Sequence, residues 1–324
     1  MRAVVIEKPG HISVQDVPDP VPGHDEVIVQ VMACGICGTD LHIADGEFPP
    51  TPYPIIPGHE FAGAIADGNG TDLAAGTLVA VDPTLNCGYC EMCRAGRGNL
   101  CLNWNATGDT VNGAFAEYVA VPYRNVYRLP AGMNARQGAL VEPVSCAVHG
   151  MRRLGPVAGQ SAVVYGAGTM GLLLTQLLLS EGASSVTVVD RIEERLSVAA
   201  SVGASVATEA DGSFDIAVDA TGVPALIERG FAALRRGGRL LIFGVARDDA
   251  VIGLSPFRIY NDEITVIGSM AVLHSFGAAI TAIADGAVQT EPLLGAPFAL
   301  DDFPAALAHV RAGRGIKTQV LPGG

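Results

Sequence analysis

Charged residues are scarce in this chain, and basic ones are the scarcest. Asp, Glu, Lys and Arg make up 16% of the 324 residues, whereas soluble proteins average about a quarter. Lys and Arg number 20 against 33 Asp and Glu, which gives a net charge of −13. A nucleic-acid-binding protein needs a basic face, as does a protein that binds an anionic membrane surface. The composition therefore argues against both kinds of partner.

Long apolar runs are absent as well. The most apolar stretch, Gly171–Leu179, is short and contains Thr175 and Gln176, whereas a membrane span needs about 20 apolar residues. The first residues, Met1–Pro9, are typical of a short strand that ends in a turn, without the apolar region of a signal peptide. We therefore expect a soluble, cytoplasmic protein.

Low hydrophobicity, the mark of an intrinsically disordered chain, is also missing, because 49% of the residues are apolar. The length favours two domains. In residues 1–147, short β-like runs such as Glu26–Val31 and Gly113–Val119 are separated by Gly- and Pro-rich turns, which predicts a mostly antiparallel β domain. Residues 287–324 return to this pattern, so we assign them to the same domain.

Residues 148–286 have a different pattern, in which apolar strands alternate with helical segments. Such alternation is typical of βαβ units that build a doubly wound parallel sheet of the Rossmann type. Only residues 207–214 separate a weak strand near Val206 from the next strand. That is too few for a crossover helix, so we expect this helix to be missing. The other predicted strands are Ala162–Tyr165, Ser185–Val189, Asp215–Asp219, Arg239–Phe243 and Ile264–Gly268.

A glycine-rich loop follows the first of these strands and opens an apolar helix. Its residues are Gly166, Ala167, Gly168, Thr169, Met170 and Gly171. In this context G-x-G-x-x-G is a dinucleotide-binding fingerprint, since its glycines permit a tight turn and a close approach to the pyrophosphate. The alternative is a glycine-rich turn that binds another ligand.

An acid closes the next strand, as the fingerprint requires. Asp190 would accept hydrogen bonds from the adenosine ribose and repel a 2′-phosphate, which favours NAD over NADP. Arg191 and Arg195 follow it, and a guanidinium could instead hold such a phosphate.

Seven cysteines are present, and four of them crowd into one short segment. An odd number without a signal peptide argues against a disulfide framework. Four thiolates in one loop can close a tetrahedral zinc site with no open position, which is a structural site. An iron–sulfur cluster and disulfides are the alternatives, but the usual iron–sulfur spacing and trailing proline are absent. The four are Cys87, Cys90, Cys93 and Cys101.

A second set of candidate ligands is scattered through the first domain. A catalytic zinc takes three protein ligands and leaves a position open. We take Cys37 and His59 as two of them and Glu142 as the third, with Glu60 either as a ligand or holding a water molecule at the metal. Asp40 is placed to orient the His59 ring. The remaining cysteines, Cys34 and Cys146, are expected to be buried apolar residues.

The chain resembles the zinc-dependent medium-chain dehydrogenase/reductase family, and within it the polyol (sorbitol/arabinitol) dehydrogenases and their threonine dehydrogenase relatives. The resemblance covers essentially the whole chain. It implies a GroES-like catalytic domain, a Rossmann domain, a cleft between them, one catalytic and one structural zinc, and a homodimer or homotetramer. The motifs that carry it, in order, are Cys37–His42, Gly58–Glu60, the four cysteines, Val141–Pro143, the glycine-rich loop and Ala220–Gly222.

The resemblance also implies a reaction. Zinc acts as a Lewis acid on a substrate hydroxyl, and hydride moves from the carbinol carbon to the nicotinamide. Thr39 takes the hydroxyl proton, and His42 passes it through the cofactor ribose to solvent. Five residues at strand ends are expected to line the nicotinamide side, where doubly wound sheets bind ligands: Thr221, Gly244, Val245, Ser269 and Met270.

The substrate is expected to be a small-molecule polyol. Glu142 and Gly38 match the polyol and threonine branch, but Ala271 and Val272 stand where sorbitol dehydrogenases carry an Arg-Tyr pair, which makes the chain more similar to arabinitol-type enzymes. His274 is a candidate contact to substrate or to a partner subunit, or an ordinary polar residue at a helix start. A threonine-type or aminocyclitol dehydrogenase and a non-catalytic, zinc-free relative are the alternative functions.

Overall fold

The computed structural model describes residues 1–48 and 50–323, and these form two units. Unit 1 comprises the described residues of Met1–Glu142, Val272–Ala284 and Leu294–Gly324, and unit 2 comprises Pro143–Ala271 and Asp285–Leu293. No helix within the described residues is long and apolar enough to cross a membrane.

The strands and helices are short and numerous. The strands are β1 (Arg2–Lys8), β2 (His11–Asp16), β3 (Glu26–Gly35), β4 (Glu60–Asp67), β5 (Leu78–Val81), β6 (Thr84–Leu85), β7 (Asn105–Ala106), β8 (Tyr118–Pro122), β9 (Val126–Arg128), β10 (Ser161–Tyr165), β11 (Ser185–Val189), β12 (Ser205–Ala207), β13 (Phe214–Asp219), β14 (Leu234–Ile242), β15 (Thr265–Gly268), β16 (Phe298–Ala299) and β17 (Gln319–Leu321). The helices are α1 (Gly38–Asp45), α2 (Glu91–Arg94), α3 (Ala135–Gly138), α4 (Val141–Leu154), α5 (Thr169–Ser180), α6 (Glu193–Ser201), α7 (Pro224–Ala232), α8 (Pro256–Asn261), α9 (Phe276–Ala284) and α10 (Phe303–Arg311).

Unit 1 is the predicted mostly antiparallel β domain. Its main sheet has the order β16-β17-β3-β4-β5-β9, with β8 also paired to β3. Among the described strand pairs of this sheet, β16–β17 is parallel and the others are antiparallel. The core lies against this sheet and includes the fully buried Val29 and Phe61. The Phe115 and Phe303 rings pack in it with centroids 4.7 Å apart, which ties α10 to the loop before β8.

One predicted strand of unit 1 is wrong. Gly113–Val119 is largely irregular, and β8 begins only at Tyr118. Backbone N–H groups of Gly113 and Phe115 donate instead to the carbonyls of Ile56 and Pro57, at 2.7 and 2.9 Å. The segment is therefore a loop that packs on the chain before β4.

Unit 2 is the predicted doubly wound domain. Its parallel sheet has the order β12-β11-β10-β13-β14-β15, the 3-2-1-4-5-6 order of a Rossmann fold. Residues 208–213, all described, link β12 to β13 without a helix, which confirms the prediction of a missing crossover helix.

Both faces of this sheet are covered, which explains why its strands are continuously apolar. Val163, Val164 and Ala217 are fully buried. On one face, α7 contributes Ile227 and Phe231 to a core cluster with the strands. The apolar helix α5 contacts β10 and β11.

The boundaries of the two units differ from the predicted ones at each junction. The sequence predicted one domain from residues 1–147 together with 287–324, and a second domain from residues 148–286. Residues 272–284 join unit 1, because the Phe276 ring of α9 packs on the Tyr127 ring of β9 with centroids 5.0 Å apart. Residues 285–293 join unit 2, because the Gln289 backbone N–H donates to the Gln176 side chain of α5 at 2.7 Å. The first junction lies at Glu142, inside the first turn of α4.

Candidate active site and nucleotide site

Cys37 caps the N-terminus of α1. Its Sγ accepts the Thr39 backbone N–H at 3.2 Å, and the Asp40 carboxylate accepts the Cys37 backbone N–H at 2.8 Å. This reciprocal arrangement is a capping box, in which the side chain takes up a helix N–H that has no partner within the helix. The capping box therefore fixes the position of Cys37 Sγ at the start of α1, where it can serve as a metal ligand.

His59 lies just before β4, and its Nε2 is 3.2 Å from Cys37 Sγ. The backbone reaches this position through Gly58, whose φ is +102° and where a Cβ would lie 2.9 Å from both Cys34 Sγ and the Phe115 nitrogen. His59 is 6% exposed. The two ligands predicted from separate motifs are thus brought together in unit 1.

Two buried carboxylates face the other ring nitrogen of His59. Asp109 Oδ1 lies 2.9 Å from His59 Nδ1, and Asp40 Oδ1 lies 3.9 Å from it. The expectation that Asp40 orients the His59 ring is therefore corrected, because Asp109 is nearer and the second Asp40 oxygen is bound to the Cys37 N–H.

These charges set the direction of the pKa shifts. Burial lowers the pKa of His59, but the negative charges of Asp109 and Cys37 outweigh it and hold that pKa well above its usual value. Burial raises the pKa of Asp40 to about 6, against the opposing charge of His59.

Glu60 lies outside this group of ligand atoms, and Glu142 stands in the first turn of α4. Within the described residues, the atoms of Cys37, Asp40 and His59 lie within 4.8 Å of one another. The Glu60 carboxylate instead forms a buried ion pair with Lys317, whose Nζ also donates to the Ile36 carbonyl at 3.0 Å. Burial lowers the pKa of Lys317, but the negative charges and the hydrogen bond of its neighbours, Glu60 first among them, together outweigh burial and raise that pKa.

The donor set around His59 fits a divalent metal ion. Ligands at about 2.3 Å (sulfur) and about 2.05 Å (nitrogen) in a tetrahedron stand about 3.6 Å apart, close to the observed 3.2 Å. The charges of Glu60 and Lys317 cancel, so within the described part of the chain His59 is the positive partner that remains for the Asp40 and Asp109 carboxylates. Asp40 Oδ1 is buried without a hydrogen-bond partner among the described residues. A cation at Cys37 and His59 would balance this charge.

The four cysteines of the segment 87–101, here called the cysteine lobe, also converge. Their sulfurs lie within 4.8 Å of one another, with Cys87–Cys93 at 4.0 Å and Cys90–Cys101 at 3.9 Å. Four sulfurs bound at about 2.3 Å to one tetrahedral ion stand about 3.8 Å apart, whereas a disulfide needs about 2.05 Å. The spacing fits a metal ion and excludes the disulfide alternative.

The lobe curls through glycines. Gly88 and Gly96 have φ of +75° and +73°, whereas Gly98 does not have a positive φ. Of the other cysteines, Cys34 is fully buried as expected, and Cys146 is only partly buried in α4.

The glycine-rich loop joins β10 to α5 in unit 2. Gly166 has φ of +99°, which permits the turn, and a Cβ at Gly171 would lie 1.8 Å from the Gly166 carbonyl oxygen. Gly168 is the N-cap of α5, and it has no side chain to satisfy the first helix N–H groups. Free N–H groups at a helix start bind phosphate, so the loop fits a dinucleotide pyrophosphate.

Asp190 follows β11, and its carboxylate binds the backbone of the glycine-rich loop. Its two carboxylate oxygens accept the backbone N–H groups of Ala167 and Ile192, at 2.7 and 2.9 Å. Arg191 is exposed, and an Arg195 nitrogen would lie 4.0 Å from a Cβ at Gly168. Asp190 and Arg195 therefore flank the loop.

The remaining nucleotide residues lie where three neighbouring strands end. Thr221 follows β13, Gly244 and Val245 follow β14, and Ser269 and Met270 follow β15. The buried Asp219 organises the first of these ends, since its carboxylate accepts the Thr221 hydroxyl at 2.6 Å and backbone N–H groups of the same turn. The carboxyl ends of parallel strands are the usual ligand edge.

Thr39 and His42 lie one turn apart on α1. Residues at this spacing share a helix face. The His42 side chain is 50% exposed, and its Nδ1 is 3.0 Å from the Glu47 carboxylate.

Comparison with known proteins identifies the family. Residues 23–131 match the alcohol dehydrogenase GroES-like domain, and residues 169–285 match the zinc-binding dehydrogenase domain. The chain belongs to the zinc-binding dehydrogenases. It is therefore an oxidoreductase, and the two matches correspond to the metal-site unit and the Rossmann unit described above.

Individual relatives of the dehydrogenase align over nearly its whole length. D-arabinitol dehydrogenase 1 of Uromyces fabae is 33% identical, covering 99% of this chain and 97% of the relative. D-altritol 5-dehydrogenase of Agrobacterium fabrum is 36% identical, covering 89% and 87%. L-threonine 3-dehydrogenase of Streptomyces coelicolor is 34% identical, covering 98% of both. Among solved structures, a zinc-binding dehydrogenase of Sinorhizobium meliloti 1021 bound to NADP superposes with a TM-score of 0.94 and 34% identity, covering 99% of both chains.

Three residues of the dehydrogenase's sites escape sequence reasoning. Lys317 is the only charged residue in the stretch 316–321, a signal that could have marked a buried ion pair. Asp219 ends an apolar strand, as Asp190 does, and that position could have been read in the same way. Asp109 carries no comparable signal, because it lies in an irregular loop 50 residues after His59.

Proposed function

We propose that this dehydrogenase oxidises a secondary alcohol of a polyol, with NAD as the hydride acceptor. The proposal includes a catalytic zinc at Cys37 and His59 and a structural zinc in the cysteine lobe. The observation that carries it is the 3.2 Å approach of Cys37 Sγ to His59 Nε2 among buried carboxylates. The names of the arabinitol and altritol relatives support a polyol as substrate.

The absent groups fit these residues, and their chemistry is limited to two contributions. Zinc would supply Lewis acidity that lowers the pKa of a substrate hydroxyl, and the nicotinamide would accept hydride. We retain Glu142 as the proposed third ligand. Glu60, paired with Lys317, is proposed to act nearby, by holding water or by joining the ligands.

The residues of α1 supply the proton path. We propose that the Thr39 hydroxyl takes the substrate proton and that His42 releases it to solvent. His42 is suited to this step because its side chain is half exposed and its ring is held at Nδ1 by Glu47. Both side chains stand on the element that Cys37 caps, so the metal ligand and the path share one rigid support.

The preference for NAD rests on Asp190. Its carboxylate is held by two backbone N–H groups beside the loop, so a 2′-phosphate placed there would meet a fixed negative charge. Arg191 and Arg195 are the residues that would favour NADP instead, and the Sinorhizobium meliloti relative is bound to NADP.

The apolar residue Val272 favours an arabinitol-like polyol over sorbitol as the substrate. Its side chain is 3% exposed, so it offers no polar contact of the kind that an Arg-Tyr pair would give sorbitol. This supports an arabinitol-like polyol. The second candidate is a threonine-type dehydrogenase, which the Streptomyces coelicolor relative favours, and which needs an acid near the metal to bind a cationic amine.

A substrate panel tests the proposal. Arabinitol, xylitol, sorbitol, a cyclitol, 2,3-butanediol and threonine are each offered with NAD and with NADP, and reduced cofactor is followed at 340 nm. The proposal predicts the highest kcat/KM for a polyol with NAD. Turnover of threonine alone would replace it with the second candidate, and no turnover of any alcohol by zinc-replete protein would favour the non-catalytic reading.

The assembly implied by the family resemblance and the location expected from the sequence remain part of this proposal. We expect a homodimer or homotetramer in the cytoplasm, and light scattering on the purified protein measures the first.

A further inference from the structure

Three carboxylates are buried around the proposed catalytic metal, and each has a different partner. Glu60 is paired with Lys317, and Asp40 accepts the Cys37 backbone N–H. Asp109, 7% exposed, points Oδ1 at His59 Nδ1. Both atoms are buried, and among the described residues neither has a hydrogen-bond partner that meets the full geometric criteria. The 2.9 Å approach to the imidazole is therefore the contact that the structure gives for Asp109 Oδ1.

The loop that carries Asp109 is built against the backbone of His59. A Cβ at Gly108 would lie 2.2 Å from the Gly58 carbonyl oxygen and 2.8 Å from the His59 nitrogen, so only glycine permits this approach. The Asp109 carbonyl accepts the Thr51 hydroxyl at 2.8 Å, and the Asn112 side chain accepts the Ile56 N–H at 3.0 Å. The Asp109 carboxylate is thus held in place by contacts that do not involve the carboxylate itself.

We propose that Asp109 is the positioning residue of His59. By accepting a hydrogen bond from the Nδ1–H group, it would fix the tautomer in which Nε2 carries the lone pair, and it holds the ring so that Nε2 faces Cys37. Carboxylate partners of this kind typically change metal affinity by about 10–100-fold. Asp40 serves the other ligand, since it fixes the backbone of Cys37. This division rests on the metal site of the proposed function.

Graded variants separate the carboxylate from the loop. Asp109→Ala removes the acceptor, whereas Asp109→Asn keeps an oxygen that can accept a hydrogen bond from Nδ1–H but loses the negative charge. Asn112→Ala is the matched control, because it removes a side-chain anchor of the same loop without touching His59. Far-UV circular dichroism and Tm establish that each variant is folded.

The readout is zinc retained by the whole chain at equilibrium with increasing concentrations of a competing chelator. We expect the zinc affinity of the Cys37–His59 site, the weaker of the two zinc sites, to fall about 10–100-fold in Asp109→Ala and by less in Asp109→Asn. In Asn112→Ala it should stay within about threefold of the parent. The cysteine-lobe site should be unchanged in all three.

Two results would overturn the inference. One is parental zinc affinity in both Asp109 variants, and the other is an equal loss in Asn112→Ala, which would assign the effect to the loop. A parent chain that binds zinc only in the lobe would be a different failure, since it removes the metal of the proposed function whatever the variants do.

Discussion

A single methyl group at Gly171 should separate the glycine-rich loop from α5. The Cβ of Gly171→Ala would lie 1.8 Å from the Gly166 carbonyl oxygen, where real contacts do not fall below 3.0 Å. Loop and helix must therefore move apart by about 1 Å, and overpacking of this kind costs about 1–3 kcal/mol. For a domain of this size, each kcal/mol lowers Tm by about 4 °C. We expect a fall in Tm of about 4–12 °C.

The same displacement moves the helix N–H groups that fit the pyrophosphate, so the Kd for NADH, measured by fluorescence, should rise about tenfold or more. Gly277→Ala is the matched control. Gly277 is exposed in the first turn of α9, and nothing lies within 4 Å of its Cβ position. Because alanine favours a helix by up to about 1 kcal/mol over glycine, this variant should keep or raise Tm and leave the NADH Kd unchanged. A Gly171→Ala protein with the parental Tm and Kd would refute the reasoning.

Three further perturbations address other parts of the molecule. Asp190→Ser should raise the kcat/KM ratio of NADP to NAD about tenfold, and a parent that already uses both equally would contradict the role of Asp190. Cys101→Ser should lower Tm and remove one zinc while the NADH Kd is kept; an unchanged zinc content would argue against the lobe as a metal site. Burial, with Arg153 and Arg152, lowers the pKa of His149, so the stability its neutral form contributes is present above about pH 6.5 and is lost as the pH falls through the lowered pKa. The Tm of the parent minus that of His149→Gln should therefore be smaller at about pH 5 than at about pH 8. A difference that does not change with pH would count against this assignment.

The Rossmann unit is readable from sequence because its signals are local. Alternating apolar strands, the spacing of Gly166, Gly168 and Gly171, and the eight-residue gap before Asp215 each lie within one or two elements. The gap before Asp215 is too short to contain a crossover helix, so the absence of that helix follows from the number of residues alone. The structure agrees at each of these points.

The metal-site unit is less readable, because its contacts join distant segments. Asp109 meets His59 across 50 residues, and Lys317 meets Glu60 across more than 250. Such pairs depend on how loops pack, and a single amino-acid sequence carries no local signal of that packing. For the same reason Gly113–Val119 has the alternating pattern of a strand but forms a loop. Its N–H groups pair with residues 56–58 before β8 begins.

Zinc content of the Cys37→Ala protein decides whether Cys37 and His59 hold a catalytic metal. Zinc per chain is measured together with NADH affinity and polyol turnover. We expect two zinc ions in the parent, one for each ligand group. We expect one in the variant, with the NADH Kd unchanged and turnover abolished. A variant that keeps both ions, or that turns over a polyol at the parental rate, would contradict a catalytic metal at Cys37 and His59.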